Sequence, residues 1–426
     1  MNKQFNNIEH QLIINPEFAA FINDDVLPLT SVDQETFWSQ LSQLFSDFQE
    51  KNDALFHSHS SMKMANNGQC TEEHHITEAK LVAPIINTLS VLNAANARWS
   101  SLYDHLYGSE MTPANNEQKD DYDHALGQQV IAQGRDFLDK MFPLTQGSHH
   151  DVTTYHIYYQ NFCAILNNGQ FVGLQSSPQF VGYNGCKEKP DALLLKHNDL
   201  HVEIQIDPQS FIGKNDAAHV ENIKVESALI TIMDCEHMGA ETSDTDKITI
   251  YKNWLGLMRG DLETSFEKNG KRITHRLKKD RTYIDRNSDQ DDELYYTVPA
   301  RNPLWIRNTC GLSDTDLILD RAGNKMPERI LDQVVTALIA LIDNRQSTAY
   351  LMKHETHGPA DVALTCELFD RVEDLLSVQR NTLKLGIMGT PERANGENNE
   401  DSKSTALQEC LSVARDRAIL MNAHTL

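Results

Sequence analysis

Three short stretches of the chain end in groups that can handle negative charge or a divalent cation. ALITIMD (228–234) runs straight into Cys235, Glu236 and His237, so an apolar, partly β-branched run hands over to two acids, a thiol and an imidazole. PLWIRN (303–308) ends in Arg307 and Asn308, and AYLMKH (349–354) ends in Lys353 and His354, with Glu355 and His357 just beyond. Carboxylates such as Asp234 and Glu236 organise a hard cation through oxygen, and a guanidinium such as that of Arg307 holds a developing negative charge. Singly, each has a plainer explanation: acids after a strand cap helices, and an arginine there belongs to a structural ion pair. Together they describe an oxyanion or enolate site, provided the fold brings the three ends to one place.

The elements that must do so recur along the chain. LVAPIIN (81–87), ALITIMD, PLWIRN, AYLMKH, LKLGIM (383–388) and AILMN (418–422) read as buried strands. Amphipathic helices such as PERILDQVVTALIALID (327–343) and PADVALTCELFDRVEDLL (359–376) lie between some of them. Strand, helix, strand with buried strands is the pattern of parallel βαβ units, hence a barrel or a doubly wound sheet. The placement of polar residues after the strands favours a TIM (β/α)8-type barrel, whose carboxyl rim carries the active site. Six candidates against the eight of that barrel predict an incomplete one, with open edges at LVAPIIN and AILMN that invite self-association or a complementary C-terminal polypeptide.

Elsewhere the period changes. From 154 to 207 short alternating runs, TYHIYYQ, FCAIL, ALLLKH and LHVEIQI, are broken by turn residues and predict a mostly β insertion. A polar stretch from Thr264 to Arg301 reads as a second excursion. Near the start, Phe37, Trp38, Leu41, Leu44, Phe45 and Phe48 recur at helical spacing, which predicts an amphipathic helix built for packing. HSHSSMKMANNGQCTEEHHITE (57–78) lacks periodicity and reads as a loop, and its four histidines, 57, 59, 74 and 75, have no fixed neighbours to orient them on a metal.

Whole-chain properties narrow the function classes. At 426 residues the chain exceeds a single core and predicts two or three units. A formal charge of -23 opposes binding to nucleic acid or to anionic membrane. No apolar run approaches the roughly 18 residues of a membrane helix, and the polar opening MNKQFNNIEHQ is no signal peptide, so a cytoplasmic protein is expected. Seven cysteines without CxxC spacing point to neither a zinc ribbon nor a disulfide framework.

LNAANARWSSLYDHLYGSE (92–110), PQFVGY (178–183), LHVEIQID (200–207), DCE (234–236), HGPADVALTCELFDRVEDLL (357–376) and NTLKLGIM (381–388) resemble malate synthase in its large G-type isoform, from about residue 12 onward. The resemblance implies an α/β fold: a TIM barrel with an N-terminal helical clasp and an inserted α/β domain. On this chain that assigns 1–80 to the clasp and linker, 81–98, 227–263 and 302–426 to a partial barrel, and 99–226 with 264–301 to the insertion. It also implies the glyoxylate-bypass reaction: condensation of acetyl-CoA with glyoxylate and hydrolysis to malate and CoA, with Mg²⁺ at the site. By the family pattern, Asp234 and Glu236 hold the metal and its waters, Arg307 stabilises the enolate, and Lys268 contributes to acetyl-CoA binding. Cys235 and His237 become structural neighbours.

The chain departs from the family where the chemistry is concentrated. After GIM the family supplies a metal-binding Glu, whereas this chain continues GTPERANGENNEDSKSTALQ, with Thr390 in register and Glu392, Glu397 or Glu400 as shifted alternatives. Leu89 and His275 stand where the family has arginines near the CoA phosphates, and each lost arginine removes a charge-assisted hydrogen bond of roughly 1.5–3 kcal/mol. The family's second metal-ligating Asp and its catalytic base fall beyond Leu426. Two expectations follow: a malate synthase needing further polypeptide for turnover, or an inactive paralogue that binds oxoacids or another protein.

Overall fold

Six apolar runs without strict alternation need cover on both faces, and parallel pairing with intervening helices supplies it. The computed structural model describes residues 8–9, 12–63, 80–110, 124–235, 243–268, 270–288, 294–308, 314–342, 349–353, 358–388 and 408–421. The runs form β1 (Lys80–Pro84), β2 (Ile230–Asp234), β3 (Leu304–Arg307), β4 (Ala349–Lys353), β5 (Leu383–Met388) and β6 (Ala418–Met421). They make one sheet in which spatial order equals chain order and every pair is parallel. A doubly wound sheet reverses its order at a switch point; a sheet that adds each strand to the last is winding a barrel. The described strands therefore form a half-barrel.

Helices return the chain between strands: α2 (Thr88–Ala95) after β1, α3 (Asp244–Arg259) after β2, α4 (Glu328–Ala340) before β4, and α5 (Pro359–Leu375) before β5. A capping box between Ser243 and Asp246 starts α3, and Gly260, at φ 80°, stops it in a left-handed turn. Alternation along the strands sorts their side chains. Ala83, Met233, Leu304, Ile306, Leu383, Leu385 and Ile387 join the helices in the main core. Ile232 and Trp305 pack with Val82, Ile230 and Ile419 in a separate cluster. With a period of two, Asp234 and Arg307 continue this second face to the carboxyl ends of β2 and β3.

The N-terminal helix, α1 (Gln34–Lys63), buries Phe37, Trp38, Leu41, Leu44, Phe45 and Phe48 in the main core. It corrects the sequence reading of 57–63 as loop. KNDALFHSHSSMK contains no Gly or Pro, so nothing in it stops the helix, although its apolar stripe has faded. His74 and His75 lie outside the described residues. Leu12–Ile14 pairs antiparallel with Asp314–Asp320, which folds back on Lys325–Pro327. These short strands between β3 and α4 were not anticipated.

The chain divides into two units: Met1–Ala95, Leu229–Leu277 and Pro303–Leu426 form the first, Asn96–Ala228 and Lys278–Asn302 the second. A hairpin, Glu263–Lys268 with Lys271–Arg276, falls in the first. The second has its own core around a seven-stranded antiparallel sheet, a three-stranded sheet and the helices Leu102–Glu110 and His124–Met141. Its entry strand, Trp99–Ser101, pairs with its exit strand, Val220–Glu226, and the Ser227 amide donates to the Arg98 carbonyl at 2.7 Å.

Candidate active site

The parallel register sets Asp234 opposite Arg307. Arg307 Nε donates to Asp234 Oδ1 at 2.8 Å, and its Nη2 closes a second, shorter bond to Oδ2. The carboxylate is buried and the guanidinium nearly so, which makes this a charge-assisted fork in a weakly screened position. The backbone locks both strand ends: the Cys235 amide donates to the Arg307 carbonyl and the Ile85 amide to the Asp234 carbonyl, each at 2.9 Å.

Behind the rim lies a polar layer shared by α3 and α4. Asn308 Nδ2 donates to Thr336 Oγ1 at 3.1 Å, and Thr336 Oγ1 donates to the Asp332 carbonyl at 2.6 Å. Asp332, fully buried, accepts from Lys247 Nζ at 3.0 Å and from Tyr251 at 2.6 Å, while Glu328 also pairs with Lys247. Burial disfavours the charged ammonium, but Asp332 and Glu328 more than offset it and hold the Lys247 pKa above the usual lysine range. Cys235 is sealed in the same layer. Burial, reinforced by Asp332, pushes its thiol well above the ordinary range, so it is no nucleophile.

Asp234 and Arg307 are thus brought together as the sequence suggested. Glu236, His237, His354, Glu355, His357, Glu392, Glu397 and Glu400 lie outside the described residues. Lys268 stands exposed at the end of the Glu263–Lys268 strand, and His275, opposite Thr264 on the same hairpin, rests its ring against Phe266. The Lys247–Asp332–Glu328 group escaped sequence reading. Its signal was there: Lys247 with Tyr251, and Glu328 with Asp332, repeat polar groups at i, i+4 inside otherwise apolar helix faces.

Among the described residues no three of His, Cys, Asp and Glu gather into a metal-binding group. One carboxylate forked onto a guanidinium does not by itself fit Mg²⁺, which keeps several waters but takes its charge from carboxylates able to face it. Arg307 is suited to a different task. Its planar guanidinium carries five N–H donors, of which Nε and Nη2 already serve Asp234, and that geometry matches the oxygens of carboxylates.

A half-barrel of parallel strands with its charged groups at their carboxyl ends is the architecture of TIM-barrel proteins. Residues 303–426 match the family described as malate synthase, TIM barrel domain, and residues 122–197 that described as malate synthase G, alpha-beta insertion domain. Malate synthase G of Halalkalibacterium halodurans is 35% identical across an alignment of 459 residues, covering 96% of this chain and 61% of that protein. The same enzyme of Corynebacterium glutamicum is 36% identical over 423 residues, covering 88% and 56%, and that of Corynebacterium efficiens 33% identical over 450, covering 94% and 58%. The chain belongs to the malate synthase family, in its G-type branch, and spans about three-fifths of the length of the curated relatives it matches.

Proposed function

We propose that the rim formed by Asp234 and Arg307 binds glyoxylate and takes part in its condensation with acetyl-CoA, giving malate and CoA. The observation that carries this reading is the fork itself: a largely enclosed guanidinium at the carboxyl end of a barrel strand, aimed by a buried carboxylate on the neighbouring strand. A methyl thioester is a weak carbon acid, so its deprotonation needs a cation at the enolate oxygen. Arg307 fills that role, and Asp234 holds its plane in place. Mg²⁺ belongs to the same proposal, with Asp234 and Glu236 as its ligands; because Asp234 alone does not suffice, Glu236 carries the prediction of metal binding. Lys268 is proposed to meet the acetyl-CoA phosphates.

A calorimetric titration of the 426-residue chain with glyoxylate, with and without Mg²⁺, tests this. Binding is expected, strengthened by the metal, lost in Arg307→Ala and made metal-independent in Asp234→Asn or Glu236→Gln. Identical isotherms for all four proteins would place the oxoacid elsewhere. A second reading, oxoacid binding without turnover, draws support from the commitment of both Asp234 oxygens to Arg307. Release of CoA from acetyl-CoA in the presence of glyoxylate and Mg²⁺ separates the two.

A further inference from the structure

The second unit carries a linear array of acid, base and hydroxyl with no part in the reaction above. Glu226 is buried, and its Oε2 lies 2.6 Å from His201 Nδ1, while the His201 backbone amide donates to the same oxygen at 2.9 Å. On the far side of the ring, His201 Nε2 lies 2.9 Å from the Tyr296 hydroxyl. Arg98 Nε donates to the other Glu226 oxygen at 2.6 Å. Burial alone would raise the Glu226 pKa, but the hydrogen bonds of His201 and Arg98 and the charge of Arg98 outweigh it and hold the carboxyl below its usual range. An ionised carboxylate only accepts, so Nδ1 carries a hydrogen toward Glu226, and Nε2 is the ring atom that meets the phenol. Tyr296 is only half-buried.

We propose that Tyr296 is an activated phenol, a nucleophile toward activated acyl groups such as aryl esters and thioesters, with His201 as general base and Glu226 positioning the imidazole. In the step, Tyr296 Oη attacks the acyl carbonyl carbon while His201 Nε2 takes the phenolic hydrogen. The tetrahedral adduct then expels its aryloxide or thiolate, which recovers that proton from the imidazolium and leaves an O-acyl tyrosine. Hydroxyl, base and orienting acid in hydrogen-bond sequence is the arrangement that activates weak nucleophiles in proteins. Tyr159, in the same unit, provides an internal control: it is 79% exposed, more open than Tyr296, and among the described residues no histidine is hydrogen-bonded to its hydroxyl.

The test treats the full chain with 4-nitrophenyl acetate at neutral pH and locates acetyl groups by tandem mass spectrometry of the peptides holding Tyr296 and Tyr159. A general base is worth about 10²–10⁴-fold, so Tyr296 should be acetylated at least tenfold faster than Tyr159 despite its lower exposure. His201→Gln should bring Tyr296 down to the Tyr159 rate while leaving Tyr159 unchanged. Tyr296→Phe should remove the fast label alone. Equal labelling, or faster labelling of Tyr159 in the unaltered chain, overturns the proposal, and that comparison stands even if His201→Gln fails to fold.

Discussion

His149 shows what burial does to a single titratable group. Its Nε2 lies 2.9 Å from the Phe142 carbonyl, which can only accept, so Nδ1 receives the Tyr155 hydroxyl hydrogen at 2.8 Å. Arg135 donates to Tyr155 from behind at 2.7 Å and forks onto Asp216. Every polar atom of the ring is used, and the ring is wholly enclosed. Burial, only partly countered by Phe142 and Asp139, lowers the His149 pKa from 6.5 to about 4. An unfolded chain takes up this proton from pH 6.5 downward, whereas the folded one resists until about pH 4. Stability of the second unit is therefore full above pH 6.5 and declines as pH falls toward 4, by about 3 kcal/mol for this group alone. Amide exchange across 152–166 at pH 7 and pH 5 should show that loss, and His149→Asn should flatten the difference. An unchanged pH slope in the variant would assign the acid sensitivity to other groups.

At the scale of elements, α4 is the least tolerant. Every residue from Glu328 to Ala340 is buried, three of them charged, so the helix depends on partners brought by α3 and α5: Lys247 for Glu328 and Asp332, and Asp361 for Arg329 at 2.8 Å. Lys247→Met keeps much of the volume but strands two buried acids, and should cost about 3–5 kcal/mol in urea denaturation. A loss below 1 kcal/mol would mean that water already reaches the layer. The elements differ in how plainly they can be read. The six barrel strands are legible because strands covered on both faces must be apolar throughout, and the six aromatic and leucine positions of α1 because they meet one core. Residues 57–63 are not, since a helix continuing beyond its apolar stripe leaves no periodic trace. The strands near 314–327 were missed because each contributes only a few residues to a short sheet. Of the site, Asp234 and Arg307 were legible from their place after strands. Their mutual fork was not, because it depends on which strands become neighbours.

For the whole molecule, the decisive feature is the zipped base of the second unit, where Trp99–Ser101 pairs with Lys224–Glu226. The neighbouring strands β1 and β2 end at Pro84 and begin at Ile230, with nearly the entire second unit threaded between them. Closing a flexible loop of roughly 130 residues costs about 3 kcal/mol more than closing a turn of about four. Once the second unit has folded, Arg98 and Ser227 are a hydrogen bond apart, and the long excursion behaves as a turn. Weakening that unit should therefore loosen a sheet it does not belong to. Leu193→Ala, in the second core, should speed amide exchange at 82–83 and 231–234 as well as locally, and protection unchanged at those strands would show that the units fold without this help. Assembly acquires an order from this: the guest that interrupts the barrel is also its clamp, and the sheet carrying Asp234 and Arg307 closes readily only after the sequence dividing it has finished folding.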